Sequence, residues 1–161
     1  MPRTELDIFD RRIIAALQAD GRVTNVELAE RIGLSPSPCL RRVKQLEREG
    51  YIDGYRAMLH RRRIGLGLTV LIGVKIDAHA SDEAADFEDT VVAMPEVVAC
   101  HLVSGEVDYM LEVTVPDLES YERFLIGKLL ELTIVKEVRS NMAIRTLKAN
   151  SALPLDHLSA T

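Results

Sequence analysis

Residues 24–50 read TNVELAERIGLSPSPCLRRVKQLEREG, and the stretch predicts two helices joined by a tight corner. Thr24 and Glu27 form a capping box: the threonine side chain accepts from the Glu27 N–H, and the glutamate reaches back. Leu28, Ala29 and Ile32 follow at helical spacing, and Gly33 stops this helix after barely two turns. A helix this short is held only by packing. Ser35 then serves as cap, and Pro36 takes the first helical position, where its missing N–H is no loss. Leu40, Val43 and Leu46 define an inward side, and Gly50 ends the helix. Short helix, glycine corner, second helix is the pattern of a helix-turn-helix. At about 100° per residue, Pro38, Arg41, Gln45 and Arg48 fall opposite the inward side, with Arg42 and Lys44 on the flanks. Arg and Gln can read base edges; Arg and Lys neutralise phosphate. A basic face interrupted by Glu47 and Glu49 also suits plain solvation, and these residues alone leave both readings open.

The flanking sequence completes a small domain over residues 1–56. Leu6, Phe9, Ile13 and Leu17 recur at helical spacing around the cap residue Asp7, and Gly21 follows. After Gly50, Asp53-Gly54 lies between β-formers in Tyr51-Ile52-Asp53-Gly54-Tyr55-Arg56, which predicts a hairpin wing. Residues 57–66, with the basic run Arg61-Arg62-Arg63, read as a linker.

Residues 67–149 carry a different pattern. Leu68, Val70, Ile72, Val74 and Ile76 alternate with Thr69, Leu71, Gly73 and Lys75, a strand with one apolar face. Ser81 caps a helix with Ala84, Phe87, Val91 and Met94 inward. Val97–Val103 and Asp108–Val115 form strands around Gly105. Pro116-Asp117 opens a second helix with Leu118, Tyr121, Leu125 and Leu129 on one side, and a last strand runs from Val135 to about Lys148. The order βαββαβ is ferredoxin-like: four antiparallel strands with both helices on one face. The fold class is α+β, a winged helix-turn-helix followed by this domain, with a tail over 150–161. The second sheet face, expected to be apolar and bare, predicts a partner, most simply another copy of the chain.

Charge separates the same two parts. The chain has 161 residues and a net charge of −5. Residues 1–64 hold 13 Lys/Arg against 9 Asp/Glu, whereas residues 65–161 hold 7 against 16. A basic half can sit on phosphate and an acidic half is repelled by it. Two cysteines, Cys39 and Cys100, are too few for a disulfide framework and read as small core residues. His101 has no second ligand at metal spacing, so no metal is expected. The N-terminus lacks a signal-peptide apolar region, and no apolar run approaches the ~18 residues of a membrane helix; a soluble cytoplasmic protein is expected. No phosphate loop, nucleophile elbow or paired catalytic carboxylates are present, so no enzyme activity and no cofactor are expected.

Three stretches together resemble the leucine-responsive regulatory protein/asparagine-regulator (Lrp/AsnC) family of transcription regulators. They are Leu6 to Arg22, with Asp10 and Ile13-Ile14; Ser35 to Tyr55; and Cys100-His101-Leu102-Val103-Ser104-Gly105-Glu106-Val107-Asp108-Tyr109, with its Gly-x-x-Asp-Tyr turn. The stretches from Ser35 to Glu47 and from Cys100 to Tyr109 look closest to the leucine-responsive branch. The resemblance spans residues 4 to about 148. It implies that the first domain binds double-stranded operator DNA, through Thr24, Asn25, Ser37, Pro38, Arg41, Arg42, Lys44, Gln45 and Arg48. It implies that the second domain forms homodimers that assemble further, often into octamers, and binds a free amino acid between such domains. Val103, Ser104, Gly105, Asp108, Tyr109, Leu118, Ser140, Asn141 and Met142 fall at the effector site. Asp108 can meet the ligand ammonium, while backbone N–H groups near Gly105 and the Ser140 hydroxyl can meet its carboxylate. The aliphatic lining, without a spare cation, favours a leucine- or methionine-like effector. Relatives carry a Pro-Gly turn before the last strand; here Thr133-Ile134 takes that place.

Two function classes follow. One is an amino-acid-responsive DNA-binding regulator. The other is an amino-acid-sensing allosteric subunit of a metabolic enzyme, with the helical part docking on protein. Exposed apolar anchors on the face of residues 38–48 would favour the second, and cations the first.

Overall fold

The computed structural model of the chain describes residues 6–77, 81–149 and 151–158. They divide into two compact units: residues up to 58 together with those from 148 onward, and residues 59–147. Each unit has its own core.

In the first unit, α1 (Ile8–Ala19), α2 (Asn25–Ile32) and α3 (Pro36–Arg48) pack around Leu6, Ile13, Leu28, Ala29, Ile32, Cys39 and Leu46. Local chemistry sets the helix starts. The Asp7 carboxylate accepts from the N–H groups of Phe9 and Asp10, and Asp10 returns a bond to the Asp7 N–H. Thr24 and Glu27 make the expected capping box. Gly33 ends α2 at φ +78°, a left-handed conformation that a side chain would strain, and so permits the sharp corner into α3.

The expected hairpin at Asp53-Gly54 is corrected by the structure. Residues 52–60 form no strand; the wing is an extended stretch. Side chains hold it in place of a backbone ladder. The Tyr55 ring packs beside Gly21, and its hydroxyl donates to Glu47 at 3.0 Å. Burial and that carboxylate push the Tyr55 phenol up to about 12.

The second unit is a four-stranded antiparallel sheet of β1 (Leu68–Ile76), β2 (Val97–Leu102), β3 (Tyr109–Val115) and β4 (Val135–Met142), in the order β2-β3-β1-β4. The helix α4 (Ser81–Val92) joins β1 to β2. Its Ser81 side chain, and with it the expected cap, lies outside the described residues. The helix α5 (Leu118–Phe124) widens into a π turn over Leu125–Leu129. Ile72 stands opposite Leu111 and Ser140, and Val74 opposite Tyr109 and Val138. Opposed residues share a sheet face, so Val70, Ile72, Val74, Leu111 and Val113 all meet the helices, against Phe87, Val91, Tyr121, Phe124 and Leu129.

The period of two therefore sends the intervening residues outward, and the outer face is not the apolar surface expected. It presents Lys75, Glu112, Arg139, Glu137 and Asn141, with Leu71 the exposed aliphatic of β1 at 42%. Val107 covers Gly73, where an added Cβ would lie 3.1 Å from a valine methyl. Arg61, in a 3-10 turn over Arg61–Ile64, lies on this face and donates to Glu112 (2.6 Å), Thr114 (3.2 Å) and Thr69 (3.3 Å). The turn before β4 needs neither Pro nor Gly: the Val135 N–H closes on the Leu132 carbonyl at 2.9 Å, and Ile134 then accepts from the Asp77 N–H at 2.8 Å.

Candidate nucleic-acid interface and effector site

On α3 the buried stripe is Cys39 and Leu46, with Val43 half-buried. Leu40, expected inward, is 42% exposed, because Cys39 takes the inner position one residue earlier. The outward stripe accordingly shifts to Ser37, Arg41, Lys44 and Arg48, all exposed and spaced by three or four residues. Pro38 and Gln45 fall on its half-buried flank, and Gln45 Nε2 donates to Glu49 at 2.9 Å.

Arg42 is the largest departure. Instead of flanking the outer face, it turns toward α1, and one guanidinium nitrogen donates to Asp7 and to Asp10, each at 2.7 Å. The guanidinium also lies 5.5 Å above the Phe9 ring. Burial works against charge at both ends of this cluster. At Arg42 the two carboxylates outweigh it and raise the guanidinium above its ordinary value. At Asp7 the N–H groups of Asp10 and Phe9, with Arg42, outweigh it and lower the carboxyl. The expected phosphate contact of Arg42 is thus replaced by an internal clasp between α1 and α3, around an Asp10 only 1% exposed. Two further expected DNA residues also hold the motif together. Thr24 Oγ1 donates to Glu27 at 2.8 Å, and Asn25 Nδ2 donates to the Pro36 carbonyl at 2.8 Å, fixing the corner.

In the second unit the expected effector residues fall into two groups. The loop between β2 and β3 closes through the Val103 N–H on the Asp108 carbonyl at 2.9 Å. At its tip Ser104 and Gly105 are exposed, and Gly105 sits at φ +141°, which side chains rarely adopt. The Asp108 carboxylate accepts from the Ile76 N–H at 2.9 Å, and the Asp108 N–H donates to Val74 at 3.0 Å. Both bonds tie the loop to the end of β1. Tyr109 is 3% exposed, its ring packs on Phe87 with centroids 4.9 Å apart, and its hydroxyl donates to Glu88 at 2.7 Å. Burial first, then Glu88, pushes its phenol up to about 12. It is a core residue that seats α4.

Ser140, Asn141 and Met142 form the exposed end of β4. Ser140 Oγ shares a short hydrogen bond with the Tyr121 hydroxyl on α5, below the exposed Leu118 that opens that helix. The loop and the β4 end lie on strands separated by β1, about 10 Å across the sheet. A 510 Å³ cavity between α4 and the Leu132–Ile134 turn includes none of these residues. Among the described residues no group of His, Cys, Asp and Glu could hold a metal ion, and no helix is long and apolar enough to cross a membrane. Cys39 is buried and Cys100 half-buried; burial pushes both thiols up.

Residues 6–53 match the family model described as winged helix-turn-helix DNA-binding, and residues 69–153 match that described as the Lrp/AsnC ligand binding domain. The chain is 41% identical over 152 residues to the leucine-responsive regulatory proteins of Klebsiella pneumoniae and Escherichia coli (strain K12), covering 94% of this chain and 93% of each relative. A solved transcriptional regulator of Neisseria meningitidis in complex with L-Met is similar at 42% identity and a TM-score of 0.91, over 96% of this chain and 99% of that one. An AsnC family transcriptional regulator from Agrobacterium tumefaciens is similar at 32% identity and a TM-score of 0.91, over 96% of this chain and all of that one.

Proposed function

The chain belongs to the Lrp/AsnC family of transcription regulators, and on that premise we propose that the exposed stripe Ser37–Arg41–Lys44–Arg48 enters the major groove of operator DNA. The protein is a DNA-binding transcription regulator whose second unit is an amino-acid-binding domain. The observation that carries the residue assignment is the stripe itself: three cations and a hydroxyl on one helix face, with Leu40 the one large aliphatic beside them. A face for docking on a protein would reverse that balance. This reading gives the chain no catalytic step and places it in the cytoplasm, where operator DNA is.

A leucine- or methionine-like amino acid is the effector. The L-Met complex of the Neisseria regulator supports this choice, as do the aliphatic Val103, Leu118 and Met142. Asp108, held by the Ile76 N–H, presents the carboxylate for the ligand ammonium. The separation of the loop from the β4 end supports a pocket completed by a second copy of the chain, since one small amino acid cannot bridge both groups. The homodimer and its further assembly, as an octamer, belong to this reading, and sedimentation of the full chain checks them.

The experiment is fluorescence anisotropy of a fragment of its own promoter, with and without leucine, methionine or glutamate. Replacing Arg41 and Arg48 together by Ala should weaken binding at least tenfold, since one lost bidentate base contact costs about 1–3 kcal/mol. Unchanged affinity in a folded double variant overturns the α3 assignment. A response to glutamate alone overturns the effector class.

A further inference from the structure

The last described residues of the chain are bonded into the N-terminal unit. Gln18 on α1 donates from Nε2 to the Leu153 carbonyl (3.2 Å) and accepts at Oε1 from the Leu153 N–H (2.7 Å). One side-chain amide thus pairs with a backbone residue much as a neighbouring strand would. Five residues later Leu158 packs against the helical core, and its N–H closes a turn on the Leu155 carbonyl at 3.0 Å. Between the two anchors lies a cavity of about 460 Å³, with Leu17 of α1, Tyr51, Ile52 and Tyr55 of the wing, and Leu153 and Leu155 of the tail among its walls. The tail is therefore one wall of a groove whose other walls are α1 and the wing.

Three features make this wall releasable. Both bonds at Gln18 are exposed and neutral, and such bonds open readily to water. Leu158 is only half-buried. The groove is incompletely filled, so packing adds less than a close-fitted core would. The wing has no backbone ladder of its own, so what touches it decides how firmly it is held.

The tail is also continuous with β4: residue 151 follows Met142, the last residue of that strand, by nine positions. We propose that residues 151–158 are a strap through which the amino-acid-binding unit governs the DNA-binding unit. Seated, the strap holds the wing on α1. Drawn off by a change at the end of β4, it frees the wing and alters DNA binding. The proposal rests on the reading above, in which Ser140–Met142 border the effector and α3 reads DNA.

Its test uses the full chain and two variants, Gln18→Leu, which removes both bonds and keeps a helix-forming residue, and Leu158→Asp, which removes the anchor. Hydrogen exchange should quicken at least tenfold at residues 51–58 in both variants, with α2 and α3 unchanged. In the anisotropy assay, the ratio of DNA affinities with and without methionine should fall toward one. A peptide of residues 150–161 added to Leu158→Asp should restore protection of residues 51–58 but not the methionine response, because the covalent path to β4 is missing. Unchanged exchange overturns the strap. Faster exchange with an undiminished methionine ratio also overturns it, leaving the tail a structural support alone. If the unaltered chain binds DNA with no response to methionine or leucine, the effector reading fails; the strap, which needs that reading, then fails as a regulator whatever the exchange data show.

Discussion

The outward face of α3 and the loop of residues 103–109 differ in how much of a site one chain can build. On α3, a single helical period brings Ser37, Arg41, Lys44 and Arg48 side by side. Neighbours at three and four positions share a face whatever the rest of the fold does. The loop depends on distant residues at every point. Asp108 is held by β1, Tyr109 by α4, and the β4 residues expected to share its ligand stand two strands away. A DNA-reading surface can thus be complete within one local element, whereas this effector site must be assembled by tertiary structure and, in our proposal, by a second chain.

The sharpest way to break that contrast is at Arg42, the residue of α3 that does not obey the local rule. Arg42→Ala leaves Asp7 and the nearly buried Asp10 without their shared cation, and should cost about 2–4 kcal/mol of stability in the N-terminal unit. Thermal melts of the variant check this, against an Arg41→Ala control that should stay within about 0.5 kcal/mol of wild type. The cluster also predicts a pH dependence. Asp7 has a folded pKa below its ordinary value of 3.8, so its contribution is full above about pH 5 and is lost as pH falls through the lowered value. Melting followed from pH 6 to pH 2 should show that loss blunted in Arg42→Ala. An Arg42 variant as stable as wild type, yet weak on DNA, would return Arg42 to the DNA face.

A somewhat smaller effect is expected at Asp108. Asp108→Asn keeps an acceptor for the Ile76 N–H but removes the charge. It should weaken methionine binding roughly ten- to a hundred-fold, a charge-assisted bond of about 1.5–3 kcal/mol, and leave DNA affinity without ligand unchanged. Calorimetric titration of methionine decides it. Equal affinity in both proteins would mean that Asp108 serves the loop alone.

The smallest effect separates Tyr109 from the ligand. Tyr109→Phe keeps the ring on Phe87 and loses only the hydroxyl bond to Glu88. A stability loss of about 1–2 kcal/mol with unchanged methionine affinity is expected. A stable variant that no longer binds methionine would place the hydroxyl in the pocket.

Much of this architecture can be read residue by residue from the chain. The capping boxes at Asp7 and Thr24, the left-handed Gly33 and the alternation of β1 all depend on near neighbours. The outward stripe of α3 is legible to within one step; counting Cys39 as an inner residue in place of Leu40 corrects it. Arg42 is not legible, because its partners lie 32 and 35 positions away. The same holds for Tyr109: a tyrosine after a turn reads equally as ligand contact or core, and its partners Phe87 and Glu88 lie on another element. The character of the outer sheet face is legible in principle, since Lys75 and Glu112 sit at alternate positions. The leucines and valines of these strands suggest a bare apolar face only if that alternation is ignored.

The Gln18–Leu153 pairing bears on how the protein is made. Its partners are 135 positions apart, so the strap emerges from the ribosome after every other described segment. The three helices can gather as soon as residues 6–58 are out, and the residues of the sheet must then emerge before the chain returns to them. At about 5–20 residues per second, the interval between the wing and its strap is several seconds or longer. A newly made N-terminal unit therefore passes through a period in which its wing is held by Tyr55 on Gly21 and Glu47, before the strap arrives.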